Sequence, residues 1–215
     1  MAIIAPNIST FIANHGYHIT ARAIGNLKPF ATDSQKRELL SRFEKHLSPH
    51  ETWDNWGRPH TKLHSEVSVV AFNPMDNHLH NLAHQRSADG IPKLMSRVLA
   101  AQARAFNRET GWRGQVFSEF NAKPFEEFSD PTQICDMIAY IELNNPITQF
   151  ETPFTSYQAL IGAEKHTWYD PSTALNVFGG MDNYREFMNR RGPAIVRRKL
   201  IEWGIDPRRH PYRPI

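Results

Sequence analysis

Two strand-like runs joined by a short turn constrain the fold of this chain more than any other feature of its sequence. Residues 63–72 are rich in apolar side chains, and residues 78–84 follow after the turn Asn-Pro-Met-Asp. A connection this short joins antiparallel neighbours, so the two runs are predicted to form a β-hairpin. The sheet is therefore expected to be antiparallel at this point.

Further strands and helices are predicted on both sides of this hairpin. Residues 17–24 and 115–125 have the β-branched and aromatic content of strands. Helical spacing of apolar side chains marks three more segments, which are residues 32–47, 91–111 and 129–146. The order of strand, helix, two strands, helix, strand, helix predicts an α+β protein with a ferredoxin-like βαββαβ sandwich, in which helices cover an antiparallel sheet.

Capping residues predict where these helices begin and end. Thr32 and Gln35 have the spacing of a capping box at the start of the first helix. Gly111 is a typical stop for the second helix, because glycine adopts a left-handed conformation readily. The third is predicted to begin at the N-cap Asp130 and to end at Pro146.

The composition is that of a soluble globular protein of one principal domain, at 40% apolar and 22% charged residues. The single cysteine, Cys135, excludes an internal disulfide and a cysteine-based zinc cage, and its apolar neighbours predict a buried small side chain. No signal peptide and no run of about 18 apolar residues is recognisable. A cytoplasmic protein is therefore expected.

The positive charge is concentrated at the end of the chain. Residues 183–215 contain nine Lys or Arg and three acidic residues, whereas the whole chain has a net charge of only +3. A basic segment on a near-neutral body favours a polyanionic partner such as nucleic acid. The alternative is a solvated terminal helix whose arginines serve solubility.

A His-x-His pair follows the turn of the predicted hairpin. Side chains alternate between the two faces of a strand, so His78 and His80 share one face while Leu79 points to the other. Two imidazoles placed in this way can chelate one metal ion, but they can also be polar surface side chains. His84 lies two pleats further along the same face and is expected to be a surface histidine or a neighbour of the site.

The third predicted helix has an apolar stripe and, beside it, a phenol and an amide. The stripe consists of Ile134, Ile138 and Ile141. Tyr140 and Asn144 are four residues apart and share another face of the helix. They could form part of a site, or a Tyr–Asn pair that caps the helix near Pro146.

Five sequence blocks, in this order, resemble those of the single-tyrosine HUH transposases, and in particular the REP-associated tyrosine transposases. The blocks are "YHITARA", "VVAFNPMDNHLHNL", "LMSRVLAAQARAFNRETGWRGQVF", "AYIELNNP" and "PFTSYQALIG". They cover the chain from about residue 17 to residue 162. The resemblance implies a catalytic domain over residues 1–162, followed by a basic helical C-terminal extension over residues 163–215.

The resemblance also implies an activity, which is metal-dependent cleavage and joining of single-stranded DNA next to hairpins. Tyr140 matches the nucleophile that forms a 5′-phosphotyrosine, and His78, His80 and Asn144 match the metal ligands. A mixed nitrogen and oxygen ligand set suits Mg²⁺ or Mn²⁺, although imidazole also suits Zn²⁺. The protein is further expected to be associated with the nucleoid and to act as a monomer, with a helix-swapped dimer as the alternative.

Basic side chains would hold the DNA backbone in such a protein. The candidates are Arg22, Arg97, Arg104, Arg113 and Lys123 on the body, and Arg190, Arg191, Arg197 and Arg198 on the extension. A solvated surface position is the alternative for each of them.

Two departures from the family pattern leave alternatives open. Relatives have proline directly after the asparagine, whereas this chain has a second asparagine, so either Asn144 or Asn145 could be the third ligand. Helical spacing favours Asn144, which shares a face with Tyr140. The segment "FSEFNAKPFEEF" stands where relatives have a basic block and weakens the DNA contacts inferred from that block.

Two other functions are compatible with these residues. One is a domesticated protein that binds hairpin DNA without cleaving it, which the altered block favours. The other is a hydrolase with zinc on His78, His80 and His84, although no acidic residue is obviously placed to complete that site.

Overall fold

The computed structural model describes residues 11–125 and 131–215, and its centre is a four-stranded antiparallel sheet. The strands are β1 (His15–Arg22), β2 (Val67–Met75), β3 (His78–Gln85) and β4 (Asn121–Phe125). Their order across the sheet is β2-β3-β1-β4, and β1 pairs antiparallel with both β3 and β4. The predicted α+β class and the predicted hairpin, formed by β2 and β3, are confirmed.

The turn of the hairpin is shorter than the sequence predicted. Residues Asn73 to Met75 belong to β2 and pair with His80 to His78, which leaves only Asp76 and Asn77 as the turn. Pro74 lies within this part of β2, although it has no backbone N–H to donate. It is tolerated because β2 is an edge strand, where a missing backbone N–H need not face a neighbour.

Helices cover both faces of this sheet. They are α1 (Asp33–Leu47), α2 (Gly90–Thr110), α3 (Pro131–Glu142), α4 (Ser156–Leu160), α5 (Pro171–Phe178) and α6 (Met181–Glu202). Residues of α1 and α2 share one hydrophobic cluster with Tyr17 and Ile19 of β1. Residues of α3, α5 and α6 share a second cluster with Val70 and Leu82. Because Leu82 is on the same face of β3 as His78 and His80, the histidine pair faces the second helical layer.

The capping predictions for α1 and α2 are confirmed. Thr32 and Gln35 form the full capping box, with Gln35 N donating to Thr32 Oγ1 at 3.2 Å. Gly111 ends α2 in the left-handed conformation, with a φ of 73°. Cys135 is buried, as its apolar neighbours predicted.

Helix α3 ends earlier than predicted, at Glu142 instead of at Pro146. The N–H of Asn144 bonds to the carbonyl of Ile141, three residues back, which tightens the last turn. The side-chain oxygen of Asn145 then accepts hydrogen bonds from the backbone N–H groups of Ile147 and Thr148 in the following turn. The predicted N-cap Asp130 lies outside the described residues.

The C-terminal segment packs on the rest of the molecule through α5 and α6. Tyr184 and Leu200 of α6 are fully buried in the same cluster as Ile138 of α3. After α6 the chain turns back, and the Tyr212 hydroxyl donates to the Met188 carbonyl at 2.8 Å. The boundary at residue 162 stays a prediction. Within the described ranges, no helix combines the length and apolarity needed to cross a membrane.

Candidate active site

Three imidazoles meet on the sheet face that α3 and α6 cover. The register of β1 and β3 pairs Thr20 with His80 and Arg22 with His78, so the alternation of β1 brings His18 to the same face. The ring centroids of His78 and His80 are 4.8 Å apart, and those of His18 and His80 are 5.1 Å apart, with nearly parallel rings. The predicted pair is therefore part of a group of three.

His18 was not singled out from the sequence, although the sequence contains a signal for it. It lies at the second position of "YHITARA", between the buried Tyr17 and Ile19. A polar residue alternating with apolar ones on a strand points to the opposite face. Only the pairing of β1 with β3, which sequence alone leaves open, places that face beside His80.

Hydrogen bonds orient the imidazoles. The ring nitrogens His18 Nε2 and His80 Nδ1 are 2.9 Å apart, so one donates and the other accepts. Thr20 Oγ1 lies 3.3 Å from the same Nδ1. His78 Nδ1 is 2.7 Å from the amide oxygen of Asn77, which accepts, so the lone pair of His78 is on Nε2. Such bonds at one ring nitrogen fix the tautomer and leave the other for a ligand.

Burial keeps these histidines neutral. It lowers the pKa of His18 to about 4, with further lowering by Lys123 and Lys199. It also lowers the pKa of His78 to about 4, aided by Arg22 and Lys199, and the pKa of His80 falls still further. At neutral pH all three rings are therefore uncharged, which is the form that binds metal ions.

Helix α3 brings Tyr140 to the imidazoles. The centroid of the Tyr140 ring is 5.8 Å from that of His80 and 6.0 Å from that of His18, in edge-on contacts. Ile138 and Ile141 are fully buried and fix this helix against the sheet. Burial raises the pKa of the Tyr140 phenol, and Arg198 opposes that shift.

Asn144 also lies at this site, where it bonds to a lysine that the sequence did not single out. Lys199 of α6 donates a hydrogen bond from Nζ to Asn144 Oδ1. The same Nζ lies 3.7 Å from the centroid of the Tyr140 ring. Lys199 is 2% exposed and Asn144 is 4% exposed. Asn145, the alternative ligand, instead caps the turn after α3.

The predicted metal ligands fit a divalent cation only in part. His78 and His80 are neutral, adjacent and oriented by hydrogen bonds at Nδ1, so they suit the role. The oxygen of Asn144 fits less well, because it accepts a hydrogen bond from an ammonium group, whose positive charge would repel a metal ion at the same oxygen. In the part of the chain that the structure describes, no group of three His, Cys, Asp or Glu side chains is arranged to hold a metal ion.

The zinc site on His78, His80 and His84 is not supported by the spacing along β3. His84 is four residues beyond His80, which at about 3.3 Å per residue is a separation of about 13 Å. Burial lowers the pKa of His84, and so does the charge of Arg86, which directly follows the end of β3 that is remote from His78.

Three of the nine predicted DNA-contacting residues lie around the site. Arg22 is opposite His78 in the sheet, and Lys123 is opposite His18. The guanidinium of Arg198 is 5.9 Å from the centroid of the Tyr140 ring. These residues could hold a phosphate backbone next to Tyr140.

The other six candidates lie elsewhere or have protein partners. Arg97 and Arg104 are on α2, which packs on the opposite face of the sheet. Arg191 forms two hydrogen bonds with the carboxylate of Asp136, at 2.9 and 2.7 Å. The guanidinium of Arg190 lies over the ring of Phe187. The remaining two, Arg113 and Arg197, are exposed.

Comparison with known proteins gives a weak structural likeness. No protein-family model matches the chain, and no curated protein matches it. A solved structure described as a REP-associated tyrosine transposase bound to a REP hairpin is similar at 12% sequence identity, over 74% of this chain and 87% of that chain. The TM-score is 0.48, below the value at which a common fold is inferred.

Proposed function

We propose that this protein is a single-stranded DNA endonuclease and strand transferase with Tyr140 as its nucleophile. The observation that carries the proposal is the contact between the Tyr140 phenol and the imidazoles of His80 and His18 inside one chain. A phenol, neutral imidazoles and a lysine, surrounded by further cations, form a site suited to an anionic phosphodiester. The sequence resemblance points to the same chemistry, and to substrates next to a DNA hairpin.

In the proposed reaction the Tyr140 oxygen attacks phosphorus in line with the bond to the 3′ oxygen. The Oη–P bond forms as the P–O3′ bond breaks, and the products are a 5′-phosphotyrosine and a free 3′-OH. The phenol gives up a proton, and the leaving 3′ oxygen takes one. Because the phosphodiester is conserved, the 3′-OH of another strand can reverse the step and join the DNA without an energy source.

A divalent cation, Mg²⁺ or Mn²⁺, would be held by His78 and His80, with water and phosphate oxygens completing its shell. When bound, it would stabilise charge on the phosphate oxygens. His18 and Thr20 would keep the ring of His80 oriented through Nδ1.

The site supports action as a monomer, since Tyr140 and the histidines belong to the same chain and no exchange of α3 is required. We also assign the sheet to the ferredoxin-like class, because its strand order and crossovers through α1 and α2 have that pattern. Nucleoid association would follow from the proposed DNA substrate.

Replacement of Tyr140 by phenylalanine tests the proposal. Wild-type protein incubated with Mn²⁺ and a single strand flanked by a hairpin should yield a covalent protein–DNA adduct that survives denaturing electrophoresis. Tyr140→Phe should yield none, because only the hydroxyl is removed. His80→Ala should abolish the adduct while hairpin binding stays within about twofold. An adduct that persists in Tyr140→Phe would rule out Tyr140 as the nucleophile.

A second candidate function is hairpin-DNA binding without cleavage. The engagement of Asn144 by Lys199 favours it, because one predicted metal ligand is occupied. In that case wild-type protein would bind hairpins but form no adduct with any single strand, in Mn²⁺ or Mg²⁺.

A further inference from the structure

Lys199 is the one charged residue on the buried stripe of α6. That stripe consists of Tyr184, Met188, Gly192, Val196, Lys199 and Leu200. Its spacing of three and four residues is that of a helix face packed on a core. The packing of α6 on α3 thus carries an ammonium group to Tyr140 and Asn144.

The groups in direct contact with this ammonium carry no negative charge. Its hydrogen-bond acceptor is the amide oxygen of Asn144, and its aromatic neighbour is Tyr140. In residues 11–125 and 131–215, no carboxylate forms a salt bridge with Lys199. Buried charges in proteins are usually paired, because their desolvation is costly. Glu202, three residues further along α6, favours the charged form of Lys199 from a longer distance. A buried cation beside a nucleophile, with no carboxylate in an ion pair with it, is suited to an anionic ligand.

We propose that Lys199 is a catalytic residue that contacts the phosphate under attack by Tyr140, and that Asn144 is the hydrogen-bond partner of Lys199 instead of a third metal ligand. This inference rests on the proposed function. A second cation at the oxygen of Asn144 would meet the ammonium at close range, and two positive charges repel. The ammonium of Lys199 already supplies a positive charge beside the oxygen of Asn144, so the proposed reaction requires no metal ion at that oxygen.

The proposed role follows from where charge develops. As the Oη–P bond forms and the P–O3′ bond breaks, negative charge on the phosphoryl oxygens must be stabilised. An ammonium already held beside the Tyr140 ring can do this with little reorganisation. No proton transfer by Lys199 is required.

Measurements of manganese binding distinguish the two roles of Asn144, as hydrogen-bond partner of Lys199 or as metal ligand, and they do not require the protein to be active. Electron paramagnetic resonance of free Mn²⁺ gives the affinity of wild type, Asn144→Ala and His80→Ala. His80→Ala should weaken binding at least tenfold, whereas Asn144→Ala should leave it within about twofold. Equal losses in the two variants would identify Asn144 as a ligand and overturn the inference.

Substitution of Lys199 tests its contact with phosphate. Lys199→Met keeps the length of the side chain and removes the charge, so adduct formation at saturating Mn²⁺ should slow about 100-fold. Binding of a short single-stranded oligonucleotide, measured by fluorescence anisotropy, should weaken about tenfold. Lys199→Arg should retain part of both. Lys45→Met, an exposed change on α1 across the sheet, should leave both unchanged.

The outcomes distinguish this inference from the proposed function. A folded Lys199→Met variant with wild-type or faster adduct formation would overturn the role of Lys199 while leaving Tyr140 as the nucleophile. Failure of the wild type to form an adduct would refute the proposed function. In that case the oligonucleotide-binding measurement still tests the role of Lys199. Unchanged affinity in Lys199→Met would refute the phosphate contact, and a tenfold loss of affinity would support it.

Discussion

At the scale of single residues, the site depends on imidazoles that burial keeps neutral. His80 is 5% exposed, yet its ring contacts His18, His78 and Tyr140. Burial of imidazoles without a carboxylate partner favours the uncharged form, which is the form needed for metal binding. The same burial makes the site sensitive to acid.

We expect the free energy of unfolding to fall as the pH is lowered from about 6.5 to about 4. The unfolded chain binds protons on these histidines near pH 6.5, whereas His18 and His78 in the folded state bind them only near pH 4. The contribution of these two histidines to the free energy of unfolding is therefore complete above pH 6.5, and it is lost as the pH falls through 4. Urea denaturation across this range measures it. His18→Gln should flatten the slope, and an unchanged slope would contradict this assignment.

At the scale of elements, a buried carboxyl group ties α3 to its neighbours. Glu142 accepts a hydrogen bond from Tyr184 of α6 at 2.7 Å and another from Ser156 of α4 at 3.0 Å. Burial raises its pKa to about 7, although both hydrogen bonds oppose the shift. Since Glu142 lies between Tyr140 and Asn144 in sequence, these bonds also fix the part of α3 that carries the site.

Glu142→Gln should make the protein more stable at pH 8 by about 2 kcal/mol and leave it nearly unchanged at pH 4.5. The folded carboxyl retains its proton between about pH 4.5 and 7, so its contribution is present below 4.5 and lost as the pH rises through 7. The amide never ionises. Glu142→Ala should instead cost about 2 kcal/mol at both values, because Tyr184 and Ser156 lose their acceptor. Chemical denaturation of both variants at the two pH values measures these changes. Equal changes in the free energy of unfolding for the two variants would contradict this account.

At the scale of the whole molecule, the candidate site lies between the sheet and a layer of helices that includes the C-terminal segment. The hairpin, the capping box and the common face of His78 and His80 were predictable, because each depends on neighbours close in sequence. The early end of α3 depends on the local turn that Asn145 caps, whereas Asn145 was considered only as a possible metal ligand. The position of Lys199 could not be predicted, because it depends on the packing of α6 on α3, two helices distant in sequence. Helical periodicity in "AIVRRKLIE" does place Lys199 beside the buried Val196 and Leu200, which is a usable signal.

The distribution of cations predicts which of them affect DNA binding. Arg22→Ala, Lys123→Ala and Arg198→Ala should each reduce the slope of log affinity against log salt by about 0.7 for single-stranded DNA, because each removes one phosphate contact. Arg104→Ala, on the opposite helical layer, should leave the slope unchanged. Titrations at several salt concentrations measure the slopes. If Arg104→Ala reduced the slope as much as the other three variants, the DNA would not be confined to the face of the sheet that carries Tyr140, and this assignment would be contradicted.

The most direct test of the central claim is to locate the covalent bond. Wild-type protein is allowed to react with a hairpin-flanked single strand in Mn²⁺ and is then digested with a protease and a nuclease, and the modified peptide is sequenced by mass spectrometry. The account predicts a residual nucleotide attached through its 5′ phosphate to Tyr140. DNA cleavage with no nucleotide on any tyrosine, or with the nucleotide on a different residue, would contradict it.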